Sequence, residues 1–261
     1  MPDPKVILVC GLSRTGTTLL SAMLDAHPCV SMGYELVPPT MGLTPHKLAD
    51  AAEEAWRESG GSPRRAGNLV KSRLGARAGV FIKRASRALV DPPDLASVLR
   101  AHADAERGIH KADDRFALAL RIAERKREIE GTLWCGFKGG GVDASRFVKH
   151  RARWVIIHRD PRDTLDSHRA VGLATSAREL ARAWNAMAGT IAEHADRSLH
   201  IRYEDLVTQP TDVSSRLCNL LGIELDDAMI RPENSKATVL RTEIRHANHE
   251  HLGSGIDTTR I

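Results

Sequence analysis

Aromatic residues are scarce in this chain: four Trp, four Phe and two Tyr in 261 residues. That is too few for the interleaved aromatic and basic pattern that stacks single-stranded nucleic acid, so a nucleic-acid partner is not expected. Cysteine is also scarce. Cys10, Cys29, Cys135 and Cys218 are widely spaced, form no paired CxxC metal pattern and sit mostly in apolar runs, as small core residues do. Long apolar runs are missing: Val6–Cys10 falls far short of the roughly 20 residues that cross a bilayer, and the N-terminus lacks a signal-peptide layout. A cytoplasmic protein without a transmembrane segment is expected. Glycine (20) and proline (12) are near average usage, which excludes collagen-like and low-complexity chains, and no internal repeat occurs.

What is present suits a soluble core. A hydrophobic fraction of 42% with 27% charged residues can fill one large domain or two small ones and excludes a disordered chain. A net charge of +5 favours anionic partners, among them phosphate cofactors, acidic acceptors and membrane surfaces.

Four short runs read as strands buried on both faces: Val6 to Cys10, Leu133 to Phe137, Trp154 to Ile157 and Leu199 to Tyr203. Helical patterns at Thr17 to Ala26, Ala112 to Glu130, Ser176 to His194 and Asp212 to Leu221 lie between and after them, the last stopped by Gly222. Strands separated by helices predict an α/β fold with a parallel sheet. Between Trp56 and Val90 nine Lys/Arg face a single acid, Glu58. This stretch breaks the strand-helix rhythm and reads as part of a basic, helical insertion at about residues 41–130 in a single domain spanning 1–261. A solvated helix or loop, a lid over an acidic acceptor, and a peripheral membrane contact all remain open for it.

After the first strand comes Gly11-Leu12-Ser13-Arg14-Thr15-Gly16-Thr17-Thr18, directly followed by a helical run. A glycine-containing turn that opens a helix aims backbone N–H groups and the positive end of the helix dipole at one point, so it suits phosphate or sulfate. The Gly-x4-Gly spacing is that of a nucleotide-binding P-loop, yet Thr17 stands where such a loop carries its Lys. Without that Lys the loop is poorly equipped for a polyphosphate with Mg²⁺, and better suited to a less charged, metal-free phosphosulfate. A second anion anchor follows the strand Trp154 to Ile157, where His158-Arg159-Asp160-Pro161 leads into a helix carrying Ser167. Ligands of open α/β sheets collect at such strand ends. His158-Arg159-Asp160 also looks like a kinase catalytic loop, but Leu165 stands where the kinase has Asn and no Asp-Phe-Gly occurs. Asp160 and Asp163 are expected to make turn and helix-start hydrogen bonds.

The segment Arg14 to Pro28, running on to Glu35, closely resembles the 5′-phosphosulfate loop of sulfotransferases that use 3′-phosphoadenosine 5′-phosphosulfate (PAPS), and in particular the tyrosylprotein branch. The resemblance implies a P-loop-like three-layer α/β fold, PAPS as donor and 3′,5′-ADP as product, with no metal. It implies that Arg14, Thr15, Gly16, Thr17 and Thr18 hold the 5′ end, and that Arg159 and Ser167, eight positions apart, hold the 3′-phosphate. Tyr203, in a Tyr-Glu-Asp-Leu segment like the family's, is implied to approach the nucleotide. In the tyrosylprotein branch the Glu at position 35 is the catalytic base. The cytosolic small-molecule branch instead uses a His just past a Lys, and Lys138-Gly139-Gly140-Gly141 offers no His there. Lys138 and Arg14 are the candidates for charge at the leaving oxygen. Asn234 to Lys236 and Arg241 to Arg245 correspond loosely to the family's basic C-terminal loops over the nucleotide. Position 34 is Tyr, where the tyrosylprotein branch carries a second acid, so the resemblance at the donor loop does not by itself imply a peptide acceptor. The acceptor is expected to be a hydroxyl on a small molecule, glycan, lipid or peptide, with the basic insertion favouring an anionic one. A P-loop small-molecule kinase and a non-catalytic anion- or membrane-binding module are the rival readings.

Overall fold

A computed structural model describes residues 5–38, 42–88, 90–105, 108–139, 152–193, 198–237 and 240. Five strands form one sheet: β1 (Val6–Cys10), β2 (Val30–Tyr34), β3 (Trp134–Lys138), β4 (Arg153–His158) and β5 (Ser198–Arg202). Their order is β2-β3-β1-β4-β5, and every neighbouring pair is parallel. Helices flank the sheet, so the fold is the expected P-loop-like α/β architecture. β1, β2 and the first four residues of β3 are buried along their whole length, as continuous apolar strands covered on both faces must be.

The sequence reading places four strands, and the described residues form five. The additional one is β2, whose signal is a period-two alternation of Val30, Met32 and Tyr34 with the small Ser31 and Gly33 rather than a continuous apolar run. A second correction concerns Tyr203. It does not end the strand but opens α9 (Tyr203–Thr208), with Arg202 as the capping position.

The strand order reverses at β1, whose parallel neighbours are β3 on one side and β4 on the other. Such a switch point opens a crevice at the carboxyl ends of the strands, and the loops leaving β1 and β4 meet there. From this crevice α1 (Thr17–Ala26) runs through the centre of the molecule, with nine of its ten residues buried. Its far end is fixed by a buried charge cluster. Asp25 accepts from Met32 N–H (2.6 Å), Ser235 Oγ (2.7 Å), Ala237 N–H (2.7 Å) and Lys126 Nζ (3.2 Å). Lys126, fully buried, also pairs with Glu130. Every charge there is met by a partner, which is the condition for a tolerable buried ion pair, and removing one partner typically costs about 3–5 kcal/mol.

Five helices occupy the connection from β2 to β3: α2 (Pro45–Glu58), α3 (Pro63–Leu74), α4 (Ala76–Arg87), α5 (Pro92–Asp104) and α6 (Ala112–Glu130). Thr44, Ser62 and Asp91 each cap a helix that starts with Pro and accept the N–H three residues on. α3 and α4 turn at Gly75 and touch backbone to backbone, because a Cβ on Gly79 would lie 2.5 Å from Gly67 O. The basic stretch is therefore packed helix: α4 buries Ala78, Phe81, Ile82 and Ala85 and keeps Arg77 and Lys83 on other faces. The chain continues through α7 (Pro161–Ala170) and α8 (Ala177–Glu193) to β5. α10 (Pro210–Leu221) then follows α9 and ends at Gly222 in the left-handed conformation. The four cysteines are free, and Cys10, Cys135 and Cys218 are buried. Among the described residues no helix is long and apolar enough to cross a membrane.

Candidate active site

The anion loop folds as its glycines demand. Gly16 caps α1 with φ 95°, and a Cβ there would stand 2.5 Å from the Tyr203 ring. Gly11 is equally constrained, since a Cβ would lie 2.5 Å from Ile157 O of β4. Thr15 uses both its N–H (3.4 Å) and its hydroxyl (2.7 Å) on Leu12 O, so it braces the loop from within. Thr17 is buried at the first turn of α1, whereas Thr18 is partly open.

Arg14 has φ 69° and Glu35 has φ 47°, the only left-handed non-glycine residues among those described. Holding an L-residue there costs about 1–2 kcal/mol each. Both are residues the sequence singles out for chemistry.

Two groups of side chains assemble around the loop. On one side Arg14 Nε donates to Ser167 Oγ at 3.1 Å, so the two anchors adjoin directly. Next to them the Arg159 guanidinium lies over the Tyr203 ring at 4.5 Å, and its Nε is buried without a hydrogen-bond acceptor. A desolvated, unpaired guanidinium N–H beside an anion loop is the donor a phosphate would satisfy. Asp160 caps α7, accepting from Arg162 N–H at 2.8 Å, and its pairing with the Arg162 side chain pulls its carboxyl down to about 2. It serves the helix start, as expected. Burial lowers the pKa of His158.

On the other side Lys138 Nζ donates to Thr18 Oγ1 and to Glu35 Oε1, both at 3.2 Å. The second Glu35 oxygen meets Arg84 of α4 at 2.7 Å. Tyr34, buried between them, faces both cations, with Lys138 at 4.5 Å and Arg84 at 5.6 Å from its ring centroid. The backbone sets this up. Glu35 N–H bonds Lys138 O at 3.2 Å, and Gly33 leaves room for the buried Leu36 side chain, which a Cβ would meet at 2.3 Å. The chain therefore turns sharply after β2 and presents Glu35 toward the end of β3.

Sequence reasoning missed three contributors: Tyr34 and Arg84, and also His168, whose Nε2 bonds Ser13 O at 3.0 Å and so fixes the loop from α7. None has a local motif, since each acts through a contact between distant elements. One expectation is corrected. Ser235 and Lys236 do not lie over the anion loop but bind the opposite end of α1, through Asp25 and the His27 and Val30 carbonyls. That is a helix length, about 15 Å, from the loop. Gly140, Gly141, Arg241 to Arg245, His246, His249 and His251 lie outside the described residues. Among the described residues no group of three or more His, Cys, Asp or Glu could hold a metal ion.

Comparison with known proteins places the chain in a family. The model of the sulfotransferase family matches residues 4–107 and 147–227, most of the chain. Protein-tyrosine sulfotransferase 1 of Danio rerio is 27% identical over 243 residues, covering 88% of this chain and 57% of that protein. The chain thus spans little more than half the length of this relative. Among solved structures, the sulfotransferase domain of the Synechococcus PCC 7002 olefin synthase superposes with a TM-score of 0.60 at 22% identity, over 98% of this chain and 85% of that one, a likeness of fold. The chain belongs to the sulfotransferase family.

Proposed function

We propose that this sulfotransferase moves the sulfuryl group of PAPS to an acceptor hydroxyl by direct in-line transfer, releasing 3′,5′-ADP. The observation that carries the reading is the Thr18-Lys138-Glu35 relay, in which one ammonium touches both the anion loop and the strained carboxylate. The whole chain acts as one catalytic domain, with the β2–β3 helices as an insertion.

The donor set fits PAPS. Arg14, Gly16, Thr17 and Thr18, in a loop braced by Thr15, offer N–H, hydroxyl and guanidinium donors to the phosphosulfate end. Arg159 and Ser167 take the 3′-phosphate, and the Tyr203 ring lies against Gly16 beside them. In the reaction the acceptor oxygen forms the new S–O bond while its proton passes to Glu35. The bond from sulfur to the bridging phosphate oxygen breaks, and the negative charge left on that oxygen is met by Lys138 and Arg14. Alignment and preorganised charge supply the acceleration, as in phosphoryl transfer. No step requires a metal ion.

Replacing Glu35 with Ala should leave 3′,5′-ADP affinity nearly unchanged and lower turnover by roughly 10²-fold, the usual scale of a positioned base. Equal turnover in the variant would reject Glu35. Transfer from PAPS should persist in EDTA, and ATP with Mg²⁺ should support none. The opposite pattern would return the kinase reading.

A further inference from the structure

α4 packs against α3 and brings Arg84 to Glu35. Between it and the turn after β2 lies a cavity of about 270 Å³, walled by Val37, Val80 and Phe81 and lined also by Glu35, Arg77 and Arg84. Glu35 therefore faces two neighbours: Lys138, which reaches the anion loop, and this space beneath the insertion. An acceptor hydroxyl that reaches Glu35 from the cavity has the rest of its molecule among these residues.

Their chemistry restricts that molecule. Apolar walls gain from covering hydrocarbon or aryl surface, whereas each hydroxyl of a sugar pressed against Val37, Val80 or Phe81 would lose its water without gaining a partner. The polar lining is already committed in part, because Arg84 is paired with Glu35. Arg84 has a second effect. Glu35 Oε1 is held by Lys138 from β3 and Oε2 by Arg84 from α4, at 3.2 and 2.7 Å, so cations from two separate elements fix the carboxylate plane. Each carboxylate oxygen offers two acceptor directions, which leaves Glu35 able to receive a proton while held in this way. Tyr34 beneath both cations keeps them in place.

Resting on the reading of Glu35 as base, we propose that the cavity under α4 is the acceptor pocket, that it takes a hydroxyl carried on an apolar body, and that Arg84 is the positioning residue that holds Glu35 toward it. The insertion thus supplies both the acceptor wall and one support of the base.

The test uses the full chain, labelled PAPS and a set of probe acceptors: 2-naphthol, 1-octanol, N-acetylglucosamine and an acidic tyrosyl peptide. Transfer to 2-naphthol or 1-octanol at kcat/KM at least tenfold above the sugar and the peptide supports the pocket, and the two alcohols separate an aryl from an alkyl body. Preference for the sugar or the peptide overturns it. Val80 is 45% exposed, so Val80→Glu keeps the fold while placing a charge in the cavity. It should raise KM for the preferred apolar alcohol at least tenfold with 3′,5′-ADP affinity within twofold, and an unchanged KM overturns the assignment. Arg84→Ala should lower kcat about tenfold with KM and 3′,5′-ADP affinity nearly constant. Arg84→Lys, or guanidinium added to Arg84→Ala, should recover part of it, and an unaltered kcat removes the positioning role. A chain that fails to bind 3′,5′-ADP would instead bring down the donor reading itself, while normal binding with transfer to the wrong acceptor overturns only the pocket.

Discussion

The two sides of the site are built by different means. The proposed donor side is local: Gly11 to Thr18 form one loop between a strand and a helix, and Arg159 and Ser167 belong to one strand-loop-helix unit packed directly against it. The proposed acceptor side is assembled from afar. Glu35 is held by a lysine 103 positions away and by an arginine on a helix of the insertion. A cradle made of consecutive backbone can bind the same nucleotide whatever surrounds it, whereas a base supported by distant side chains can be re-aimed by changing the helices that carry them. That contrast follows the general rule that one fold hosts different functions through the sites built onto it.

Substitutions that separate the two sides test the contrast. The largest effect should come from Gly16→Val, which meets both a φ of 95° and the Tyr203 ring. We expect 3′,5′-ADP affinity to fall by more than about 10²-fold in calorimetric titration, since an N–H cradle displaced by even an ångström loses its alignment. Retained affinity would mean that the loop is not the donor cradle. Next in size, Arg159→Ala should weaken 3′,5′-ADP by roughly 10- to 100-fold, the worth of charge-assisted hydrogen bonds, while 5′-AMP changes little. Equal losses for both ligands would place the 3′-phosphate elsewhere.

On the acceptor side, Gly33→Ala should lower kcat by about tenfold with 3′,5′-ADP affinity preserved, because the new Cβ displaces Leu36 and tilts the turn that presents Glu35. A matching loss of donor affinity would show that the two sides are not separable. The smallest effect is one of pH. Burial depresses the pKa of His158, at the carboxyl end of β4, and, with the nearby His158 charge, that of His200 on the neighbouring strand β5. Their unfolded forms, near pKa 6.5, bind protons that the folded forms resist, so stability is complete above about pH 6.5 and declines as pH falls toward the depressed folded values. Tm should drop by about 1–3 °C from pH 7 to pH 5.5 beyond the drop in a His158→Gln, His200→Gln variant. An equal drop in both proteins would assign the acid sensitivity to other groups.

Much of the donor side is legible in the chain because its residues are neighbours. The Gly-x4-Gly turn, the apolar strand before it and the helix after it are consecutive, so spacing alone points to a proposed anion site at Gly16, and the hydroxyl at Thr17 stands where a nucleoside triphosphate loop carries its Lys. Glu35 was reached only through resemblance. A lone acid after a helix has no periodicity, and the strand that carries it, β2, hides as an alternation of large and small residues. The roles of Tyr34 and Arg84 are not legible in the sequence, because a cation over a ring and an ion pair between elements depend on how α4 lies, which no window of sequence records. The tail shows the reverse error: its basic residues suggested the nucleotide, yet Lys236 finds the carbonyls of His27 and Val30.

Sequence by itself determined the sheet class and the glycine turn that opens α1, because strand burial, glycine conformations and helix-end dipoles act over a few bonds. Only the tertiary structure decided that Ser167 meets Arg14, that Glu35 is held between Lys138 and Arg84, and that the insertion walls a cavity beside it. Those outcomes depend on which distant surfaces exclude water together, and hydrophobic packing has no address in the local chain.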